Sequence, residues 1–312
     1  MKWQGREESS NIEDRRTSGG APSGGGFGGG FSSGGPLQGG GGLPIGGRGG
    51  LSGIVGIVIL LVICWALGIN PLTLLDNGTV TGGTSGTSGY SQSQPSSSAD
   101  QQQLADFAGV VVKDTETMWT TWFQSQGKSY TPPKVVLFSN ATQSGCGTAQ
   151  TASGPFYCPN DQKVYLDLAF YAQLRDQFHA AGDFAQAYVI AHEVGHHVQN
   201  LLGVLPKFDA DRQRMSQDQA NAMSVRVELQ ADCYAGVWAN YEGKQNVLEE
   251  GDTQEAINAA NQIGDDTLQK EFQGSVQPRN FTHGTSAQRM NWFKKGLASG
   301  DPMVCDTFSG NV

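Results

Sequence analysis

Apolar residues in the last two thirds of the chain recur mainly at spacings of three and four, the period of an α-helix. This pattern predicts helices over residues 104–123, 169–181, 183–203, 216–241, 253–262 and 286–297. Shorter apolar segments predict a strand at residues 135–138 and a hairpin of residues 155–158 and 163–168. Residues 263–282 are expected to be irregular. The predicted fold is therefore α+β, mostly helical with a small sheet.

The first third of the chain lacks this periodicity. Residues 1–50 are polar and rich in glycine, and they are predicted to form a disordered tail because they offer too few apolar side chains for a core. For the charged first sixteen residues, a short docking element is the alternative to a solvated tail. Residues 71–103 are rich in Ser, Gly, Thr and Gln and predict a flexible linker. A single domain is expected over residues 104–312.

Residues 51–69 are apolar and uncharged, and about 20 such residues cross a bilayer as a helix. They predict one transmembrane helix at residues 51–70. Lys and Arg precede this segment and none follows before Lys113, so the positive-inside rule places the N-terminus in the cytoplasm. The expected localisation is single-pass in the inner (cytoplasmic) membrane, with the C-terminal domain periplasmic or extracellular. A cleaved signal peptide is the alternative, although it would begin nearer the N-terminus.

The net charge of -9 and the absence of a basic cluster with interleaved aromatic residues exclude nucleic acid as an expected partner. Of the five cysteines, Cys64 lies in the predicted membrane helix. The other four allow three pairings, of which Cys146 with Cys158 is favoured because a strand and a turn can close that loop. Zinc binding by cysteines is disfavoured because the chain has no Cys-x-x-Cys spacing.

The sequence His-Glu-x-x-His at His192, Glu193 and His196 predicts a zinc hydrolase site on a helix. Positions i and i+4 of an α-helix lie about 40° and about 6 Å apart, so the two histidines can bind one metal ion. Glu193 then lies near the open coordination position, where it can take a proton from water. Gly195 permits close approach of another backbone, and His197 points about 100° away from the metal.

A second predicted helix, residues 216–241, supplies the third metal ligand. Catalytic zinc sites have three protein ligands and an open fourth position, and two histidines with one glutamate are an established set. Glu228 is the predicted third ligand. Asp232, one turn later on the same face, is expected to accept the free ring N–H of a ligating histidine. Asp232 as the ligand in place of Glu228 is the alternative.

The spacing of Glu228 and Asp232 after His-Glu-x-x-His resembles that of gluzincins, including the Ste24 and HtpX type membrane peptidases. Over nearly its full length, at residues 1–5, 11–16, 154–159 and 281–289, the sequence resembles the bacterial YpfJ-like family of neutral zinc metallopeptidases. The resemblance implies a zincin-like domain that uses Zn²⁺. His283 resembles the Thr-His element that follows the metal helices in the HtpX group, which makes it the first candidate for stabilising an oxyanion, with Arg289 second.

The combined hypothesis is a membrane-anchored zinc metallopeptidase that hydrolyses peptide bonds of a peptide or protein substrate. Zinc would activate water, Glu193 would be the general base, and a strand beside the metal helix is a candidate for pairing with the substrate backbone. Two alternatives remain open, namely a non-catalytic zinc-binding envelope scaffold and a zinc amidase that acts on cell-wall peptides.

Overall fold

The computed structural model describes residues 1–16 and 98–312. In this part of the chain the helices are α1 Ser98–Ser125, α2 Ala169–Asp176, α3 Asp183–Leu201, α4 Val204–Arg212, α5 Gln217–Lys244, α6 Asp252–Gln262, α7 Asp265–Gln273 and α8 Ser286–Ser299. The strands are β1 Ile12–Asp14, β2 Lys134–Phe138, β3 Ala141–Ser144, β4 Gly147–Gln150, β5 Phe156–Cys158 and β6 Lys163–Asp167. The structure is thus α+β and mostly helical.

Four strands form one small sheet in the order β1-β2-β6-β5. β1 and β6 each run parallel to β2, whereas β5 and β6 form an antiparallel hairpin in which Phe156 lies opposite Tyr165. The predicted strand and hairpin are therefore confirmed. β5 lies at the edge of the sheet and packs against α3. β3 and β4 form a separate two-stranded hairpin.

Helix α3 passes through the middle of the core, as its apolar sequence predicts. Fourteen of its residues are buried, and it packs against α1, α5, α6 and β5. Asp183 and Gln186 at its start have the sequence pattern of a capping box, which predicts Asp183 as the N-cap, but this prediction is wrong: Gly182 is the N-cap, with φ 121°, and no side chain caps the helix. The Asp183 carboxylate instead binds the Met1 α-ammonium group at 2.7 Å.

The predicted irregular stretch after residue 262 is also wrong in part, since α7 occupies Asp265–Gln273 within it. Its apolar residues Leu268 and Phe272 face a cavity instead of the core, so they follow no core-directed pattern. The favoured disulfide between Cys146 and Cys158 is confirmed, and a second one joins Cys233 in α5 to Cys305.

Residues 1–16 lie on the domain, contrary to their interpretation as a solvated tail. β1 pairs with β2, and the Arg6 guanidinium donates to Asp114 of α1 at 2.7 Å and to Glu242 of α5 at 3.4 Å. Backbone pairing, charge and apolar packing hold the segment, but its apolar residues Met1, Trp3 and Ile12 are too widely spaced to give a periodic pattern in the sequence. The remainder of the predicted tail, residues 17–50, and most of the linker lie outside the described residues, and the domain boundaries stay predictions.

The structure contradicts the prediction of a transmembrane helix and of a single-pass membrane localisation. No helix among residues 1–16 and 98–312 is long and apolar enough to cross a bilayer, and residues 51–69 themselves lie outside this part of the chain. A single crossing at residues 51–69 would also put residues 1–16 and the domain on opposite sides of the membrane. The pairing of Ile12 with Val135 requires both to lie on the same side.

The carboxylate of Glu242 predicts an unusual pH dependence of stability. Burial and the nearby Asp114 carboxylate raise its pKa from about 4.5 to about 8, even though Arg6 opposes the shift. Between these pH values the folded protein binds more protons than the unfolded chain, so the free energy of unfolding decreases as pH rises. Glu242→Gln cannot ionise and should therefore raise the melting temperature more at pH 9 than at pH 5.

Melting temperatures of both proteins at the two pH values test this expectation. The exposed Glu250→Gln is the control and should change the melting temperature equally at both pH values. A Glu242→Gln effect that does not differ between pH 5 and pH 9 would contradict the assignment.

Candidate metal centre

Two helices bring three predicted ligands together. His192 and His196 lie one turn apart on α3, and Glu228 reaches them from α5. His192 Nε2 lies 3.1 Å from Glu228 Oε2, and His196 Nε2 lies 3.5 Å from Glu228 Oε1. The three donor atoms lie within 4.8 Å of one another.

These separations fit a tetrahedral zinc ion. Zn–N and Zn–O bonds of about 2.0–2.1 Å place two tetrahedral ligand atoms about 3.3 Å apart. The observed 3.1 Å and 3.5 Å lie on either side of that value. The donor set of two imidazoles and one carboxylate is also one that zinc uses in catalytic sites, where the fourth position stays open.

Hydrogen bonds at the far side of each ring orient both histidines. His192 Nδ1 lies 2.9 Å from Asp232 Oδ1, and His196 Nδ1 lies 2.8 Å from Gln199 Oε1. Because both partners are acceptors, each Nδ1 carries a proton, and each Nε2 is the ring atom that faces Glu228 and would bind the metal. Gln199 is itself fixed, since its amide donates to the Val227 carbonyl oxygen at 2.6 Å.

The charges at this centre are strongly coupled. Burial alone would raise the pKa of Glu228, but the His196 and His192 rings outweigh it and hold that pKa well below its usual range. Burial would likewise lower the pKa of His192, whereas the Asp232 and Glu228 carboxylates raise it to about 10. The carboxylates therefore create a strong preference for positive charge at the point where the histidine nitrogens meet.

The guanidinium of Arg289 in α8 forms hydrogen bonds to both carboxylate oxygens of Asp232. Its Nε donates to Asp232 Oδ2 at 2.9 Å and its Nη2 to Oδ1 at 3.0 Å, while Nη1 donates to the Ile263 carbonyl oxygen. Tyr188, one turn before His192 on α3, donates its hydroxyl proton to Asp232 Oδ1 at 2.5 Å. Arg289 and Tyr188 thus fix the carboxylate that orients His192.

Glu193 lies beside the ligand set without joining it. Its side chain is largely buried and lines the cavity next to His192 and His196. No hydrogen bond joins its carboxylate to another residue in the described parts of the chain. Glu193 therefore presents a free acceptor to whatever enters the cavity.

His283 lines the same cavity. Its Nδ1 is 3.1 Å from Asp265 Oδ1, and Asp265 Oδ2 accepts the backbone N–H groups of Thr282, His283 and Gly284 at 2.7, 2.7 and 3.0 Å. Burial would lower the pKa of His283, but the Asp265 carboxylate outweighs it and raises that pKa. Nδ1 thus carries the proton, and Nε2 has no partner among the described residues.

Asp265, Gln199 and Tyr188 are site residues that the sequence analysis missed. Gln199 lies three residues after His196 on one helix face, a spacing that could have suggested it. Asp265 gives no comparable signal, because its partners come from a loop 17 to 19 residues later. His197 lies away from the metal as expected, since its ring contacts the Tyr157 hydroxyl at 3.1 Å and the Thr131 carbonyl oxygen at 2.7 Å.

A His-Glu-x-x-His helix joined by a glutamate from a second helix, beside an open cavity, is the ligand arrangement of gluzincin-type metalloproteins. The chain belongs to the family described as "Putative neutral zinc metallopeptidase", whose profile matches residues 1–308. The resemblance found in the sequence is thereby confirmed. The family's name implies zinc, and His192, His196 and Glu228 form a group that could hold it.

Two relatives illustrate how widely this sequence pattern extends. The chain is 47% identical over 313 residues to "Uncharacterized protein YpfJ" of Escherichia coli (strain K12), with 100% of each chain covered. It is 40% identical over 255 residues to "Uncharacterized protein Rv2575" of Mycobacterium tuberculosis (strain ATCC 25618 / H37Rv), which covers 78% of this chain and 84% of that relative. No solved structure matches the chain significantly.

Ligation by Glu228 and orientation by Asp232 predict different losses of zinc. Glu228→Ala should leave the purified protein nearly free of zinc, because it removes one of three protein ligands. Asp232→Asn keeps the shape of the side chain but not its charge, and should weaken zinc binding by about 10- to 100-fold. Metal content by mass spectrometry and competition with a chelator measure both effects.

The exposed Asp218→Asn, near the start of α5, is the control and should keep the zinc affinity of the wild type. Retention of zinc in Glu228→Ala together with its loss in Asp232→Asn would reverse the two assignments.

Proposed function

We propose that this protein is a zinc-dependent peptidase whose general base is Glu193. The observation that carries the proposal is a carboxylate free of hydrogen bonds at the wall of an open cavity, next to a donor set that suits zinc. A purely structural zinc site has closed coordination and no use for such a group. When bound, zinc supplies a Lewis acid that polarises the scissile carbonyl and acidifies a water molecule.

Glu193 follows His192 on α3, so its carboxylate lies at the side of the ligand set that faces the cavity. In the proposed reaction Glu193 accepts the proton of the attacking water and afterwards transfers it to the leaving amine nitrogen. The same carboxylate serves both steps because it is not tied to another side chain. His192, His196 and Glu228 are assigned to the metal and not to proton transfer.

His283 is the proposed oxyanion donor. Its ring is fixed by Asp265 at Nδ1, which leaves Nε2 available to a ligand in the cavity that His283 lines together with the ligand set. The Asp265 carboxylate raises the pKa of the ring and so favours the form that is protonated on both nitrogens, in which Nε2 can donate to the negative oxygen that forms on the scissile carbonyl. The carboxylate thus both orients and charges the donor.

Arg289 is proposed to position Asp232 instead of contacting the substrate. Both oxygens of Asp232 are bound by its guanidinium, and its remaining nitrogen donates to a backbone carbonyl. Such a saturated guanidinium has little donor capacity left for an oxyanion. Asp232, by fixing the tautomer of His192, then links Arg289 to the metal.

The edge strand β5 is the proposed binding site for the substrate backbone. Within the described parts of the chain β5 pairs only with β6, so its other side offers free N–H and C=O groups. Phe156 and Tyr157 of this strand line the cavity that contains Glu193. An extended peptide could therefore pair with β5 and present a carbonyl group to the ligand set.

Replacement of Glu193 by Gln separates a peptidase from a metal-binding scaffold. Glu193→Gln keeps the size of the side chain but removes the base, so cleavage of a peptide library should fall by about 10²- to 10⁴-fold. Zinc content and melting temperature should remain those of the wild type, because Glu193 is not assigned as a ligand. Cleavage by the wild type should also be abolished by a chelator and restored by zinc.

Equal cleavage by wild type and Glu193→Gln would show that another group or a contaminant acts. Zinc binding without cleavage of any library peptide would favour the scaffold, and cleavage of cell-wall peptides alone would favour the amidase.

The oxyanion assignment predicts a loss in kcat more than in KM when His283 is replaced. Removal of one oxyanion donor typically costs about 10²- to 10³-fold in kcat. We expect a loss of this order for His283→Phe, and a smaller loss for Asp265→Asn, which keeps the ring but removes its charged partner. Steady-state kinetics with a cleaved library peptide, together with zinc content, measure both.

His179→Asn is the matched control. His179 is exposed and has φ 51°, a backbone conformation that Asn tolerates, so its replacement should leave kcat unchanged. A kcat of His283→Phe within twofold of the wild type would remove His283 from the mechanism.

A further inference from the structure

A cavity of about 210 Å³ adjoins the ligand set, and most of its lining is apolar. Its lining includes the ionisable groups assigned to the metal and to proton transfer, together with a larger surface of aromatic and aliphatic side chains. A water-filled active-site cleft with no specificity would have no need of this apolar surface. The wall therefore favours an apolar occupant.

Two helices present one face each to this cavity. Leu205 and Phe208 are three residues apart on α4, and Leu268 and Phe272 are four apart on α7, so each pair projects from a single side of its helix. Helix α4 directly follows α3, which carries His192, Glu193 and His196, and α7 begins at Asp265, which binds His283. Both apolar faces are therefore connected to residues of the proposed active site.

A row of aromatic rings extends the apolar wall outward. The Phe178 ring lies 6.4 Å from that of Phe170 and 6.5 Å from that of Phe272, and all three residues line the cavity. Phe170 is buried, whereas Phe272 is 37% exposed. The row thus leads from solvent to the interior and keeps its apolar character throughout.

The volume and the polarity select the kind of side chain that fits. An apolar cavity of about 150 Å³ is large enough to bind benzene, so about 210 Å³ admits one aromatic ring. The charged lining residues Asp209 and Arg212 are of opposite sign and only partly buried, so they give the apolar wall no net charge. Against the aromatic and aliphatic part of the wall, an ionised side chain would lose its hydration without gaining a partner.

We propose that this cavity is a specificity subsite for a large hydrophobic residue, preferably aromatic, that adjoins the scissile bond of the substrate peptide. The inference rests on the proposed peptidase function and deepens it by naming the substrate class. In this proposal Phe208 and Leu268 contact the side chain of the substrate, and the partly exposed Phe272 lies at the entrance of the cavity. A peptide paired with β5 has its alternate side chains directed toward the domain, which brings one of them to this wall.

Binding to an inactive protein tests the subsite independently of turnover. The probes are fluorescein-labelled Ala-Gly peptides of one length that differ only at the central residue, which is Phe, Leu, Asp or Lys. Fluorescence anisotropy measures their binding to zinc-loaded Glu193→Gln. The Phe peptide should bind about 10-fold or more tightly than the Asp and Lys peptides, with Leu in between.

Phe272→Lys and Phe308→Lys, each combined with Glu193→Gln, form a matched pair. Both phenylalanines are 37% exposed, but only Phe272 lines the cavity. Phe272→Lys should reduce the preference for Phe over Asp by about 10-fold, and Phe308→Lys should leave it unchanged. Leu268→Lys is a second variant at the same wall and should act like Phe272→Lys. Melting temperature and zinc content show that each variant is folded and loaded.

The outcomes separate this inference from the proposed function. Equal binding of the Phe and Asp peptides, or equal effects of Phe272→Lys and Phe308→Lys, overturns the subsite. Zinc-dependent cleavage by the wild type without residue preference overturns the subsite but leaves the peptidase. Selective binding of the Phe peptide that Phe272→Lys abolishes supports the subsite, even where the wild type fails to cleave and the peptidase proposal falls.

Discussion

Close contact between helix backbones is the constraint on which the metal centre depends. A Cβ atom at Gly195 would lie 3.2 Å from the Ala231 carbonyl oxygen, so α3 and α5 cross at this point with almost no side chain between them. Because the contact lies beside His196 and between Glu228 and Asp232, it brings both carboxylates to the histidines. Any larger residue at position 195 would push the helices apart and lengthen those distances.

Glycine residues also allow close backbone contact between α8 and α5. A Cβ at Gly236 would lie 2.0 Å from the Phe293 carbonyl oxygen, and one at Gly296 would lie 2.0 Å from the Cys233 carbonyl oxygen. This crossing allows Arg289 to reach Asp232. Three helices therefore meet through glycine contacts around one buried set of charges, and a divalent ion would bring the formal charge of Glu193, Glu228, Asp232 and Arg289 to zero. Such balance matters because an unpaired buried charge is costly.

Much of this arrangement could be predicted because it is local. His192 and His196 lie on one helix face through their spacing, and the apolar residues around them identify α3 as buried. The strands β2, β5 and β6 could also be predicted, because each coincides with a short apolar segment of the sequence. The close approach at Gly195 could be anticipated as well, since a glycine inside an apolar helix suggests backbone contact.

The remaining features could not be predicted because they depend on contacts between distant parts of the chain. β1 has three residues and is stabilised by a parallel neighbour more than a hundred residues later, so no periodicity marks it. Helix α7 has few apolar residues, and these face a cavity. The sequence suggests Asp183 as a helix cap, but in the structure its carboxylate binds the Met1 α-ammonium group, which is distant in the sequence.

The bond network of Asp265 has a mechanical consequence. This residue begins α7, and its carboxylate is tied by three backbone N–H groups and one ring to the loop that carries His283. Leu268 and Phe272 lie on the same short helix, so any tilt of α7 also moves the imidazole. In the proposed peptidase, a substrate side chain in the cavity would thereby influence the position of His283, the proposed oxyanion donor. Binding energy from a residue beside the scissile bond would then contribute to alignment of the reacting groups at that bond.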